Sequence, residues 1–576
     1  MTASRKLVIA IDFGTTYSGY AFSLAEEPQN IVTGYNWSTK ISSSKVPTSV
    51  LVNPSGGFHS FGYDAEEIYT DLVLDEKATG WGLFTQFKMS LYKNKNLSQN
   101  TKIKDITKKI SKPAFTIVTM ALEYIADHAK RTVKSRKETA NIDERDMFFV
   151  ITVPAIWNDE AKHFMRKAAV SAGLPEPNVS LVLESEAASV WCQAQPLVIS
   201  QGQCSDITKF GSKYMVVDIG GGTADITVHE KRPDGKLKEL HSGGGDWGGT
   251  QVNKAFIKIL EDVLGKETMK LFRDECISDY LDLLNEFEIV KRIISGDEIV
   301  DRLKVRLPHA INDMKKKATK KGITDSFIES LKKLSVECGV SIEKDKLRLD
   351  SERAKKMFQY CIQGLCEEIR LILEETYELN IILVVGGFSE SPIVREAIRK
   401  QIEGKDVSLI FPVDPGLMVL RGAVLYGHTP KLIYSRKARF TYGLRAAVQF
   451  DDNFHRKSDR YIKTEMKDGQ LLCINHFQVL INKYDDVKNE EQIVITQEPL
   501  REKDRLRIEF ELYISTQASP KYVDDPVCKR IGSVDILLTK IVDKLNKRLL
   551  IADNDMFLEV KHKDSGKVEK RQFNFL

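Results

Sequence analysis

KYMVVDIGGGTADITVH, residues 213–229, sets an apolar run (Tyr214 to Val217) before an acid, three glycines and a second alternating run that starts at Ala224. That order reads as a β-hairpin with a glycine-rich turn. Glycines lack Cβ, so successive backbone N–H groups can converge on an anion, while Asp218 at the strand end offers oxygen to a hard cation. Gly220, Gly221, Gly222 and Thr223 are therefore candidates for holding phosphate. Taken alone, three glycines describe an ordinary tight turn equally well.

A second copy of the pattern favours phosphate. Near the N-terminus LVIAI (7–11) reads as a strand, and DFGTTYS (12–18) repeats the acid and the glycine-and-hydroxyl turn before a second strand from Gly19 to Leu24. One such hairpin per half predicts two similar α/β lobes facing each other across a cleft, with Asp12 and Asp218 on opposite sides. DFGTTYS and VDIGGGTADITV resemble the two phosphate motifs of the actin-like ATPases, which include actin, sugar kinases and the seventy-kilodalton heat-shock chaperones.

Composition excludes several other classes. The 576 residues suffice for two to four domains, and 85 basic against 81 acidic residues leave a formal charge of only +4, which gives no global pull toward nucleic acid or an anionic membrane. Eight scattered cysteines without C-x-x-C spacing argue against a zinc site or a disulfide framework. No stretch has the length of a membrane span and no leader is visible, so a cytoplasmic location, or a nuclear one as well, is expected.

Five further stretches supply candidate chemistry. In WGLFTQFKMSLY (81–92), Lys88 stands alone among apolar residues, either as a snorkelling surface lysine or as one delivered into the cleft. Val179 to Leu183 reads as a strand ended by Glu184, an acid at the carboxyl end of a strand, where α/β lobes place ligand chemistry. Glu288, Lys291, Arg292 and Ser295 share one helix face, which by itself describes a surface ion pair. Gly248 and Gly249 belong to a formal G-x-G-x-x-G that lacks the strand-to-helix context of a dinucleotide fingerprint. Gly386, Gly387 and Phe388 end a strand and open a helix, allowing close backbone approach to a ligand.

These motif regions, in order over the first 430 or so residues, resemble the seventy-kilodalton heat-shock family, and FKMSL, LESEAAS, GGGDWGGT and VVGGFSESP look most like its atypical twelve-A/twelve-B branch. The resemblance implies an α/β fold: a two-lobed actin-like ATPase domain with duplicated ribonuclease H-like halves, then a small β-rich C-terminal domain. The expected divisions are 1–205 and 206–430 for the lobes and 431–576 for a substrate-binding-like domain without a helical lid. It also implies ATP or ADP with Mg²⁺ as cofactors. Asp12 and Asp218 would hold Mg²⁺ through water. Gly14, Thr15, Thr16, Tyr17 and Gly220 to Thr223 would cradle phosphates. Gly248, Gly249, Glu288, Lys291, Arg292, Ser295 and Gly386 to Phe388 would hold adenosine. Lys88 and Glu184 would position the attacking water, and Asp225 would accept its proton.

Three departures from the family pattern stand out. Ser185 replaces the proline that relays nucleotide state, and Glu390 replaces the arginine that sandwiches adenine. The connector HTPKLIYSRKARF (428–440) is basic where the family has an acidic, leucine-rich linker. The implied function is a slow ATPase acting as a nucleotide switch for protein or peptide clients and co-chaperones, with weak coupling to the C-terminal domain. An actin-fold sugar-type kinase and a nucleotide-bound scaffold without turnover remain alternatives. A protein-kinase reading of Asp12-Phe13-Gly14 fails, because no glycine loop can precede residue 12 and no H-R-D occurs.

Overall fold

The computed structural model describes residues 5–37, 42–94, 97–194, 207–292, 294, 303–320, 339–343, 345–455, 462–464, 471–489, 491–495, 507–537, 545–552, 555–562 and 566–573. Leu7–Phe13 and Tyr17–Leu24 form an antiparallel hairpin in which Asp12 lies opposite Gly19. Met147–Val153 runs parallel to the first strand, and Val179–Leu183 runs parallel to that one. Parallel neighbours require crossovers, here the helices Ala114–Ser135 and Asp159–Ser171. Leu7–Phe13 and Met147–Val153 are buried at every residue, which is why they read as unbroken apolar runs rather than alternating ones.

The second sheet repeats the plan. Its order is Ser408–Ile410, Leu379–Val385, Lys213–Ile219, Ala224–Lys231, Leu237–Gly245, Ile433–Lys437 and Asp486–Lys488. The central hairpin places Asp218 opposite Asp225, and Leu379–Val385 runs parallel to its first strand. Helices Glu184–Ala194 and Met418–His428 pack together between the two sheets, in a core that joins Val8 and Val150 of one to Val216 and Leu383 of the other. They cross closely because position 422 is glycine; a Cβ there would collide with the Ala187 carbonyl. One continuous core therefore fixes the distance between the two hairpins.

Beyond Ile433–Lys437 the chain forms a five-stranded and a four-stranded sheet that share a core including Tyr442, Phe510, Leu512, Leu549 and Leu558. The expected α/β class with a β-rich C-terminal part is what is observed. Local readings differ in places. Residues 30–110, whose polar stretches such as SSSKVPTS and VNPSGGFHSFG read as loops, contain the helix Tyr63–Leu74 and a three-stranded sheet built on Ser49–Val52. In the C-terminal part, Leu545–Ala552 and Val568–Gln572 are strands that the alternation pattern does not pick out. The loop PLVISQGQCSDITKFG (196–211), which the sequence offers as the hinge between the lobes, falls mostly outside the described residues.

Candidate functional site

The two hairpin turns face each other across one cavity, lined on one side by Asp12, Gly14 and Thr15 and on the other by Asp218, Gly221 and Gly222. Their approach is so close that a Cβ on Gly221 would collide with Thr16 Oγ1, and one on Gly222 with Thr15 Oγ1. Gly220 N donates to the Thr223 carbonyl at 2.9 Å to close the second turn. Outside the turn, Gly249 N and Thr250 N donate to the carbonyls of Gly220 and Gly221 at 3.2 and 2.8 Å. The carbonyls are thus drawn toward the Gly248–Gly249 segment. Among the described residues, the N–H groups of Thr15, Thr16, Gly221 and Gly222 donate to no other protein group. Free donors converging from two turns on one cavity suit a polyphosphate.

Charge in the cavity is unevenly balanced. Lys88 is 2% exposed and bonds Glu184 Oε1 at 2.6 Å, with its ammonium 5.3 Å from the centre of the Trp157 ring. Of the two readings open for Lys88, the structure therefore has the one in the cleft rather than the snorkelling one. Burial nonetheless pushes the Glu184 carboxyl up to about 7, because the Asp225 and Asp12 charges oppose the help it receives from Lys88. Asp225 is buried, accepts the Ile156 N–H at 2.8 Å and is also raised by its burial. Asp218 is raised well above the carboxylate range by burial and by Glu184, Asp225 and Asp12.

Asp12 behaves differently. Burial alone would raise its carboxyl, but Lys45, whose Nζ lies 2.7 Å from Oδ2, the Lys88 charge and Thr152 Oγ1, which donates to Oδ1 at 2.8 Å, together more than offset this. Its carboxyl consequently lies below the usual range. Whether this arrangement fits a divalent cation is decided by Asp218. It is a hard-oxygen donor on which burial and the charges of three other acids outweigh the relief Lys45 gives, so a cation would stabilise its ionised form. The residues present fit Mg²⁺ on the Asp218 side.

A second cavity adjoins the first and is lined by Tyr17, Gly249, Arg292, Phe388, Glu390 and Ser391 among others. Lys291, 7% exposed, bonds Glu288 Oε1 at 2.7 Å, Asn253 Oδ1 at 2.8 Å and the Gly249 carbonyl at 3.3 Å. Phe388 lies against the backbone of Gly249 and stacks on Phe358, with centroids 6.0 Å apart. Gly386 has φ 86°, a left-handed conformation that favours glycine, and a Cβ there would collide with Asp218 Oδ1. The Gly386 turn therefore touches both cavities. Ser295 lies outside the described residues; the helix carrying Glu288 to Arg292 is Ile277–Arg292.

Sequence reasoning missed Lys45, Thr152 and Asn253. Lys45 sits in SSSKVPTS, where nothing distinguishes it from a solvated loop lysine. Thr152 reads only as a strand interior. Asn253 had a usable signal: it lies one turn into the helix that starts after Gly249.

Known proteins match most of the chain. A family model described as Hsp70 protein matches residues 84–431. Heat shock 70 kDa protein 12B of Homo sapiens is 30% identical over 592 residues, spanning 93% of this chain and 84% of that protein. Heat shock 70 kDa protein 12A of Homo sapiens is 31% identical over 587 residues, spanning 92% and 85%. Chaperone protein DnaK of Mycoplasma mobile is 24% identical over 455 residues, spanning 77% and 62%.

Proposed function

The chain belongs to the Hsp70 family, and from that premise we propose that it binds ATP and ADP between its two hairpin-bearing lobes and hydrolyses ATP slowly, as a chaperone-like switch for protein partners. The observation that carries this reading is the pair of turns whose unpartnered N–H groups face one cavity beside the buried Lys88–Glu184 pair.

In the proposed mechanism, the N–H and hydroxyl groups of Thr15, Thr16, Gly221, Gly222 and Thr223 bind the phosphates and fix the terminal one at the mouth of the Lys88–Glu184 pair. Lys88 donates to a terminal phosphate oxygen and orients the attacking water. Glu184, poised near neutrality, accepts a hydrogen bond from that water and holds its lone pair toward phosphorus. Asp225, fixed by the Ile156 N–H, takes the proton the water loses. A Mg²⁺ ion at Asp12 and Asp218 would supply charge neutralisation for the transferring phosphoryl group. Glu288, Lys291 and Arg292 border the sugar, and the Gly386–Phe388 turn borders the base.

We further propose the division 1–205, 206–430 and 431–576, with the last part receiving extended protein segments along strand edges, and a cytoplasmic or nuclear setting. Among the described residues, no helix is long and apolar enough to cross a membrane. The reading is tested by single-turnover incubation with ATP, alone and with a panel of sugars. Release of free phosphate, unaffected by any sugar, is expected. Transfer to a sugar would replace the switch with a kinase, and binding without release would leave a scaffold.

A further inference from the structure

The two hairpins differ at one equivalent position. Opposite Asp218 stands a second acid, Asp225, whereas opposite Asp12 stands Gly19. The space that a side chain would fill at Gly19 is taken by the Ser44–Lys45 segment: a Cβ on Gly19 would lie 2.8 Å from the Ser44 carbonyl oxygen and 3.2 Å from Lys45 Cγ. The strand pair Val46–Pro47 with Tyr17 and Ser18 anchors the residues after Lys45, so its stem runs over Gly19 and its ammonium reaches Asp12 Oδ2 at 2.7 Å. Lys45 also lines the cavity between the turns, and its side chain stays 23% exposed there.

With Thr152 on its other oxygen, Asp12 already has a donor on each oxygen and a positive partner. The attraction Asp12 offers a hydrated divalent cation is correspondingly reduced, while a fixed ammonium faces the place where the phosphates are proposed to lie. We propose that Lys45 is a polyphosphate-binding residue that supplies part of the positive charge a divalent cation would otherwise bring, so that nucleotide binds this cleft with little dependence on Mg²⁺. This rests on the nucleotide-binding reading above and goes beyond it by assigning the charge that permits binding.

The test is calorimetric titration of the full chain with ADP and with ATP, in excess Mg²⁺ and in excess chelator. The wild type is expected to lose less than about threefold in affinity when Mg²⁺ is removed. Lys45→Met is expected to lose about 10- to 100-fold, the worth of one charge-assisted hydrogen bond, and Lys45→Arg to restore tolerance. Equal sensitivity to chelator in the wild type and Lys45→Met overturns the proposal, whereas no nucleotide binding by any variant in either condition overturns the underlying reading instead. Should Lys45→Met melt below the titration temperature, Asp12→Asn decides. It frees the ammonium, so Mg²⁺-free affinity must rise; an unchanged or weaker affinity overturns the proposal.

Discussion

Replacing Lys88 by alanine removes the cation bonded to Glu184, and the structure fixes the consequence. The pair is 2.6 Å long, and the lysine side chain is 3% and the glutamate side chain 13% exposed, so truncation strips a charge partner from a poorly solvated acid. Breaking such a pair costs roughly 3–5 kcal/mol when the remaining charge cannot escape. Glu184 can escape by taking a proton, since its carboxyl already titrates at about 7 with the lysine in place. Without Lys88 that value rises, and each unit of rise leaves about tenfold less ionised carboxylate at neutral pH. Together with the lost donor to phosphate, turnover should fall by about 10²- to 10³-fold. ADP affinity should change by less than about threefold, because the contacts proposed for adenosine lie in the other cavity. The assay is single-turnover hydrolysis from about pH 6 to 9 beside ADP titrations, and the acid limb of the rate profile should move to higher pH. An equal loss of ADP affinity and turnover, or an acid limb that does not move, refutes the assigned roles.

Four other outcomes are expected. Glu390→Arg, in the cavity proposed for adenosine, should tighten ADP binding by about 2- to 20-fold, because a guanidinium stacks on a base and a carboxylate does not; an unchanged dissociation constant counts against the cavity assignment. Glu239 is 2% exposed, and its burial raises its carboxyl to about 7. A raised carboxyl contributes stability that is present below its unfolded value near 4.5 and is lost as pH rises through about 7, so Glu239→Gln should melt above the wild type at pH 8, by up to ~3 kcal/mol, but not at pH 5. Arg436 pairs with fully buried Glu186 at 2.6 and 3.0 Å, so Arg436→Ala should cost roughly 3–5 kcal/mol and expose the connector to protease. That cost exceeds common coupling energies of about 1–3 kcal/mol, so peptide release from the wild-type C-terminal part should proceed at similar rates with ATP and with ADP, and a large acceleration by ATP would show the connector to be movable.

The hairpins were legible because their chemistry is local: an acid at a strand end and glycines in the turn are contiguous in sequence and serve one function together. Glu184 was legible for the same reason, as the residue at which the Val179–Leu183 strand ends. Lys45 was not, since its partner and the Gly19 gap it fills become neighbours only when the Val46–Pro47 strand pairs with the first hairpin. The helix Tyr63–Leu74 carries apolar residues at helical spacing, Ala65, Ile68, Tyr69, Leu72 and Val73, but they serve a small cluster with Leu51 and Leu83 that no motif marks. The connector read only as basic where an acidic linker was expected, because its charge partners are remote in sequence. Arg436 finds Glu186, Arg439 finds Ser242 and the Trp157 carbonyl, and Lys437 finds Asp486. Only the fold, which makes Ile433–Lys437 a strand beside Leu237–Gly245, brings these together.

The central claim is that nucleotide binds between the two turns, and thermal melting of the full chain with saturating ATP or ADP tests it most directly. Stabilisation of about 2.7 kcal/mol is expected at a nucleotide concentration 100-fold above the dissociation constant. It should vanish in Gly222→Val, whose side chain would collide with Thr15 and fill the gap between the turns. No stabilisation by either nucleotide, or one that persists undiminished in Gly222→Val, would contradict the account.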